Sequence, residues 1–166
     1  MRKPQFNFTV EEIPVEEINE LNVSSTRIRK AIEEGNIEKA NSFLGYPFFI
    51  SGTVVSGKQL GRTIGYPTAN VKLENEDKLI PKIGVYAVNV IVKQKKYKGM
   101  LSIGYNPTVS DTKDIKIEVN IFNFNEDIYD EWIKIEFVKW IRNEESFRNL
   151  DELKEQLAKD AIACNI

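Results

Sequence analysis

Gly57-Lys58-Gln59-Leu60-Gly61-Arg62-Thr63-Ile64-Gly65-Tyr66-Pro67-Thr68-Ala69-Asn70 is a glycine-punctuated loop that follows the strand-like run Phe49 to Val55 and closes on a proline, a hydroxyl and a carboxamide. With the residues before it, Gly52 to Gln59, it nearly spells a P-loop. Gln59 stands where a Ser or Thr should ligate magnesium, and no helix pattern follows, so that reading fails. Pro67 fixes its own φ and holds Tyr66 extended, which gives the chain a defined exit direction. If Ala69 starts a strand, Thr68 and Asn70 point to the same side.

The chemistry of this stretch suits phosphate. Three glycines let backbone N–H groups approach an anion without Cβ interference, and Lys58 and Arg62 add positive charge. Two neutral oxygen ligands on one side, from Thr68 and Asn70, suit a hard cation that is itself held by nucleotide phosphates. A plain turn rich in Gly and Pro is the alternative reading.

Outward from the loop, Gly84 to Val92, Lys98 to Ile103, Lys116 to Phe124 and Trp132 to Val138 are rich in β-branched and aromatic residues and bounded by Gly, Pro, Asn or Asp. With Phe49 to Val55 they predict a mainly β chain forming a mostly antiparallel barrel, whose closure leaves few unpaired edges. Before the strands, residues 24 to 45 predict two short helices. Ser24 or Ser25 caps the first and Gly35 ends it; Asn36 caps the second and Gly45 lies past its end. After the strands, Asn149 to Ala163 predicts a helix opened by an Asn149/Glu152 capping box, with Leu150, Leu153, Leu157 and Ala161 as its buried stripe.

Composition narrows the chemistry. The 166 residues carry 23 basic and 25 acidic side chains, a formal net charge of −2 that gives no general attraction to nucleic acid or to an anionic membrane. Lys93, Lys95, Lys96 and Lys98 flank what reads as a hairpin turn, where lysines discourage edge pairing. The single cysteine, Cys164, precludes an intramolecular disulfide and fits a reducing, cytoplasmic setting. No apolar run approaches the roughly 18 residues needed to span a membrane. There is no histidine, so imidazole acid–base chemistry is absent and any acid or base is Asp, Glu, Lys, Tyr or Cys.

The loop is followed in order by Gly84-Val85-Tyr86, Ser102-Ile103-Gly104-Tyr105-Asn106-Pro107-Thr108, Ile117-Glu118-Val119-Asn120-Ile121, Tyr129 and Ile141-Arg142-Asn143-Glu144-Glu145-Ser146-Phe147. This set, spanning about residues 45 to 163, resembles the riboflavin kinase family, specifically the kinase module of bacterial bifunctional riboflavin kinase/FMN adenylyltransferases. The resemblance implies a six-stranded antiparallel Greek-key barrel with a C-terminal helix, and ATP and riboflavin as substrates with Mg2+. It implies Glu118 as the catalytic carboxylate, Gly57, Arg62, Thr68 and Asn70 as nucleotide-binding residues, Thr68 and Asn70 also as metal ligands, and Arg142 and Phe147 around the flavin. Period two alone makes Glu118 a solvent-facing strand residue, because the odd positions from Ile115 to Ile121 are apolar. Phe147 and Tyr105 also read as ordinary core aromatics, and Arg142 as a surface partner of Glu144 or Glu145.

Ser24-Ser25-Thr26-Arg27-Ile28-Arg29 resembles the closing motif of the adenylyltransferase module that precedes the kinase in the same enzymes. Residues 1–45 are therefore expected to be the tail of such a module plus a helical linker, and residues 46–166 the kinase barrel. That adenylyltransferase needs an early histidine-containing motif, so FAD synthesis by this polypeptide alone is not expected. Two alternatives accompany the kinase reading: a non-catalytic flavin-binding module, or the kinase part of a split bifunctional FAD synthetase with a separate adenylyltransferase chain as partner. The sequence departs from the family pattern at Asn120, where relatives commonly carry histidine, at Asn123, where aspartate is frequent, and at Glu145, where lysine is.

Overall fold

The computed structural model describes residues 17–18, 21–57, 60–75, 77–105 and 115–165. A two-residue bridge, β1 (Glu17–Ile18) with β2 (Leu21–Asn22), precedes the helices α1 (Ser25–Glu33) and α2 (Ile37–Leu44). The barrel strands are β3 (Phe49–Val55), β4 (Ala69–Leu73), β5 (Gly84–Val92), β6 (Lys95–Tyr105), β7 (Ile115–Ile121) and β8 (Trp132–Arg142). A four-residue helix, α3 (Leu60–Thr63), interrupts the glycine loop, and α4 (Leu150–Cys164) ends the chain. The single turn of α3 is too short to leave an apolar period in the sequence.

The strands close in the order β3-β4-β7-β6-β5-β8, with every neighbouring pair antiparallel. β5, β6 and β7 follow one another and β8 returns beside β5, which is a Greek key. The β5–β6 hairpin turns on Lys93 and Gln94, both at positive φ (48° and 65°), as a two-residue turn matched to strand twist requires. Its lysines are tied to the barrel: Lys93 pairs with Glu126 at 3.2 Å and Lys96 with Glu136 at 2.8 Å. The Lys96 bond holds the Glu136 carboxyl below its ordinary range. β7 stops at Ile121, three residues earlier than predicted, where Asn123 turns the chain at φ 54°.

Alternation sorts each strand between two apolar layers. Ile50, Val54, Tyr86, Val88, Leu101, Ile103, Val119, Ile133, Ile135 and Phe137 fill the barrel. Tyr86 meets Phe137 edge-on at 5.1 Å and donates its hydroxyl hydrogen to the Lys82 carbonyl. On the outer face, Val85, Ala87 and Met100 pack with Cys164 of α4, flanked by Tyr66 and Leu157. Burial pushes the Cys164 thiol up to about 12, with the neighbouring Asp160 charge adding to the shift.

The N-cap residues of all three long helices are as expected, although the Glu152 carboxylate accepts from the Arg148 N–H and not from the Asn149 N–H that a capping box would use. Ser24, Asn36 and Asn149 accept from the third residue of their helices, and Gly35 and Gly45 turn at φ 79° and 76°. The buried stripe of α4 differs from the prediction: Asp160 and Cys164 are buried, whereas Leu150 is 51% exposed. The second half of α4 lies on the sheet, so the inward positions follow Leu157, Asp160 and Cys164.

The helical hairpin shares the barrel's core, since Ala31, Ile32, Ile37 and Ala40 belong to the cluster that fills the strands. Asn41 is the polar rivet: its Nδ2 donates to the Phe137 carbonyl at 2.9 Å, and its Oδ1 accepts from the Phe48 N–H at 2.7 Å. Asn41→Ala strips both partners and should lower unfolding stability by about 2 kcal/mol in urea titrations.

Candidate active site

The antiparallel register assembles the site. Asn70 of β4 lies directly opposite Glu118 of β7, and Glu118 lies opposite Ser102 of β6. Directly paired residues share a face, with Cβ atoms about 5 Å apart. The outer-face rung continues to Val85 of β5 and on to Arg142 of β8. Glu118 and Arg142 are therefore three inter-strand steps apart, roughly 14 Å at ordinary strand spacing. An extra residue at Ile141 bulges β8 between the Tyr86–Trp140 and Val85–Arg142 pairs and returns Arg142 to the outer face.

Glu118 faces outward, as alternation predicts, but its side chain retains only 27% exposure. Its Oε2 lies 2.9 Å from Lys116 Nζ, two residues back on the same face. Gly57 touches Asn70: a Cβ there would overlap the Asn70 carboxamide and displace it, so the absence of a side chain keeps Asn70 in place. Gly61 likewise lies against the Tyr66 carbonyl and near the Thr68 hydroxyl. The loop thus folds back along its own exit strand. Lys58 and the Asn106-Pro107-Thr108 motif lie outside the described residues.

Thr68 and Arg62 line a cleft of about 400 Å³ at the mouth of the barrel, together with Val54, Phe124, Asn125 and Tyr129. That combination of an apolar floor with a few convergent polar groups is typical of small-molecule sites. Pro67, between the loop and Thr68, is anchored by Asn120, whose Nδ2 donates to the Pro67 carbonyl at 2.6 Å. Asn120 is 6% exposed, and period two had marked it only as a polar strand residue. Among the described residues no three Asp, Glu, Cys or His side chains converge as a metal cage. The neutral Thr68 and Asn70 oxygens fit a cation held mainly by phosphate and water.

Arg142 departs from its surface-pair reading. Its Nε donates to Asp160 Oδ1 at 2.9 Å and its Nη2 to Asp160 Oδ2 at 2.7 Å, while Glu145 is a looser partner at 3.9 Å. Asp160 lies 18 residues downstream on α4, so only tertiary packing unites the pair. The Phe147 ring lies 5.7 Å from the guanidinium carbon and is half-buried, so Arg142 and Phe147 do come together. The Glu144 carboxylate rests against Gly104, bringing the segment after β8 back over the outer face. Tyr105, at the end of β6, is 45% exposed and is no core aromatic.

The family model for riboflavin kinase (flavokinase) matches residues 44–165. The chain belongs to the riboflavin kinase family. It is 49% identical over 138 residues to the bifunctional riboflavin kinase/FMN adenylyltransferase of Listeria monocytogenes, covering 83% of this chain and 44% of that protein. The corresponding protein of Escherichia coli K12 is 45% identical over 141 residues, covering 84% and 44%. The chain thus spans a little under half the length of these relatives. Among solved structures, riboflavin kinase from Trypanosoma brucei superposes with a TM-score of 0.50 at 27% identity, covering 71% of this chain and 77% of that one. A Streptococcus pneumoniae protein described as a macrolide-efflux protein superposes with a TM-score of 0.85 at 42% identity, covering 92% and 49%. In the described residues of this chain, no helix is long and apolar enough to cross a membrane.

A Cβ at Gly57 would occupy the space of the Asn70 carboxamide. Gly57→Ala should push the Asn70 carboxamide aside and weaken Mg-ADP binding by about 100-fold, the usual consequence of misplacing a binding group by an ångström. Isothermal titration calorimetry reads this directly, with circular dichroism checking that the barrel stays folded.

Proposed function

We propose that this chain is a riboflavin kinase, transferring the γ-phosphate of ATP to the ribityl 5′-hydroxyl of riboflavin to give FMN and ADP. The observation that carries the reading is the direct cross-strand pairing of Asn70 with Glu118. It sets an acceptor for the hydroxyl proton beside a phosphate- and metal-binding carboxamide.

The nucleotide occupies the cleft edged by Arg62 and Thr68, with its phosphates toward Gly57, Thr68 and Asn70. Thr68 and Asn70 would hold Mg2+, which when bound neutralises phosphate charge. Riboflavin presents its ribityl end to Glu118 and its ring end toward Arg142 and Phe147, bounded by the segment after β8 that returns to Gly104, because α4 covers the Val85 step of the rung. Glu118 orients the 5′-hydroxyl and accepts its proton as the new O–P bond forms and the bond to the β–γ bridging oxygen of ATP breaks. Lys116, whose Nζ lies 2.9 Å from Glu118 Oε2, must yield to the substrate hydroxyl.

Residues 46–166 form the kinase module in this proposal, and residues 1–45 an adenylyltransferase-like tail whose helices have joined the kinase core. Ser24 supports a structural use for part of that tail, since its hydroxyl caps α1 by accepting from the Arg27 N–H at 3.3 Å. FMN, not FAD, is the product expected of these 166 residues, which include no histidine. The cytoplasm, with its ATP and reduced thiols, is the proposed compartment.

Incubating the chain with riboflavin and Mg-ATP, then separating flavins by fluorescence-detected chromatography, tests the reading. FMN should accumulate without FAD, and riboflavin that binds but stays unphosphorylated would replace the kinase with a flavin carrier. Glu118→Gln should keep riboflavin affinity while turnover drops by at least ~100-fold, the ordinary worth of a general base.

A further inference from the structure

We infer that Asp160 of α4 is a positioning residue for the flavin site, holding the Arg142 guanidinium in the orientation that meets the ligand. This inference rests on the flavin-binding reading of Arg142 above. Asp160 is 2% exposed, the more buried of only two polar residues in the described core, and both its oxygens are occupied. Oδ1 accepts from Arg142 Nε at 2.9 Å and from Gln156 Nε2 at 2.8 Å. Oδ2 accepts from Arg142 Nη2 at 2.7 Å and from Nε at 3.0 Å.

This arrangement is a fork. Nε and Nη2 meet the carboxylate edge-on, the geometry that fixes a guanidinium plane rather than merely neutralising it. Nη1 donates to the Asn143 carbonyl at 2.8 Å, which fixes the remaining arm. One N–H on each terminal nitrogen is left over from these bonds, and the Phe147 ring stands 5.7 Å from the guanidinium carbon. Asp160 is itself held by Gln156 one turn earlier, and α4 is seated on the barrel one turn later, where Cys164 packs among Val85, Ala87 and Met100.

A buried ion pair is weak evidence of stabilisation, because desolvating two charges offsets much of their attraction. Two apolar residues would serve packing as well, whereas presenting an oriented guanidinium to a flat polar ligand needs the carboxylate. α4 thereby acts as a brace for the binding segment, and the bulge at Ile141 delivers Arg142 to it.

The test uses the full chain and the variant Asp160→Asn, with riboflavin binding followed by quenching of flavin fluorescence and both substrates varied at steady state. The expected result is a rise of about tenfold in riboflavin Kd and KM, with ATP KM within about twofold, as loss of one charge-assisted contact predicts. In an Arg142→Ala background, Asp160→Asn should add nothing to the riboflavin Kd. If Asp160→Asn does not fold by circular dichroism, Gln156→Ala takes its place, with an expected rise of about threefold in riboflavin Kd alone. Unchanged riboflavin affinity in the folded variant, or an equal rise in both KM values, overturns the positioning role while leaving the kinase reading intact. Failure of the unsubstituted chain to bind riboflavin defeats the flavin reading itself and this inference with it.

Discussion

Closure of the six-stranded barrel is the constraint on which the rest depends. In an open sheet a strand can slip, but here each of the six strands is paired on both edges. A slip of one residue would turn Ile117, Val119 and Ile121 outward and point Lys116, Glu118 and Asn120 into the barrel. The apolar alternation that fills the barrel therefore also sets Asn70, Glu118, Ser102, Val85 and Arg142 on one outer rung. Core packing and site geometry are two faces of the same register.

Two additions convert that rung into a sheltered site. The glycine loop folds back so that Gly57 lies on Asn70, and Asn120 pins the Pro67 carbonyl at the point where the loop enters β4. On the other side α4 covers β5 and β6 through Cys164 and Leu157, and the segment after β8 returns with Glu144 on Gly104. The outer face of a barrel would ordinarily be solvated. Here it is walled by a loop and a helix, and Glu118 is left half-covered.

The departures from the family pattern have physical readings. Asn123 sits at φ 54°, a conformation that Asn and Asp both tolerate, so exchanging one for the other leaves the turn intact. Asn120 donates a hydrogen bond, which a ring N–H of histidine can also do, so the anchoring of Pro67 needs only a donor there. Glu145 is exposed and 3.9 Å from Arg142, where a lysine would repel the guanidinium instead of loosely pairing with it.

The sequence by itself determined five of the six barrel strands, the N-cap residues and the side of β7 on which Glu118 stands, because alternation, β-branching and the φ preferences of Gly and Asn act over a few residues. Its ordered motifs also carried the family resemblance, and with it the barrel. What it left open depended on residues far apart in the chain. Nothing local joins Arg142 to Asp160 or Asn120 to Pro67, and the α4 stripe was drawn through Leu150 because helical periodicity does not say how far a helix overhangs its sheet. The α1–α2 hairpin read as a linker, since amphipathic helices look alike whether they bridge or dock, yet Asn41 and Ile37 tie it into the barrel. Only the tertiary structure could decide these contacts, because each depends on a chain reversal that brings a distant partner within hydrogen-bonding or van der Waals reach.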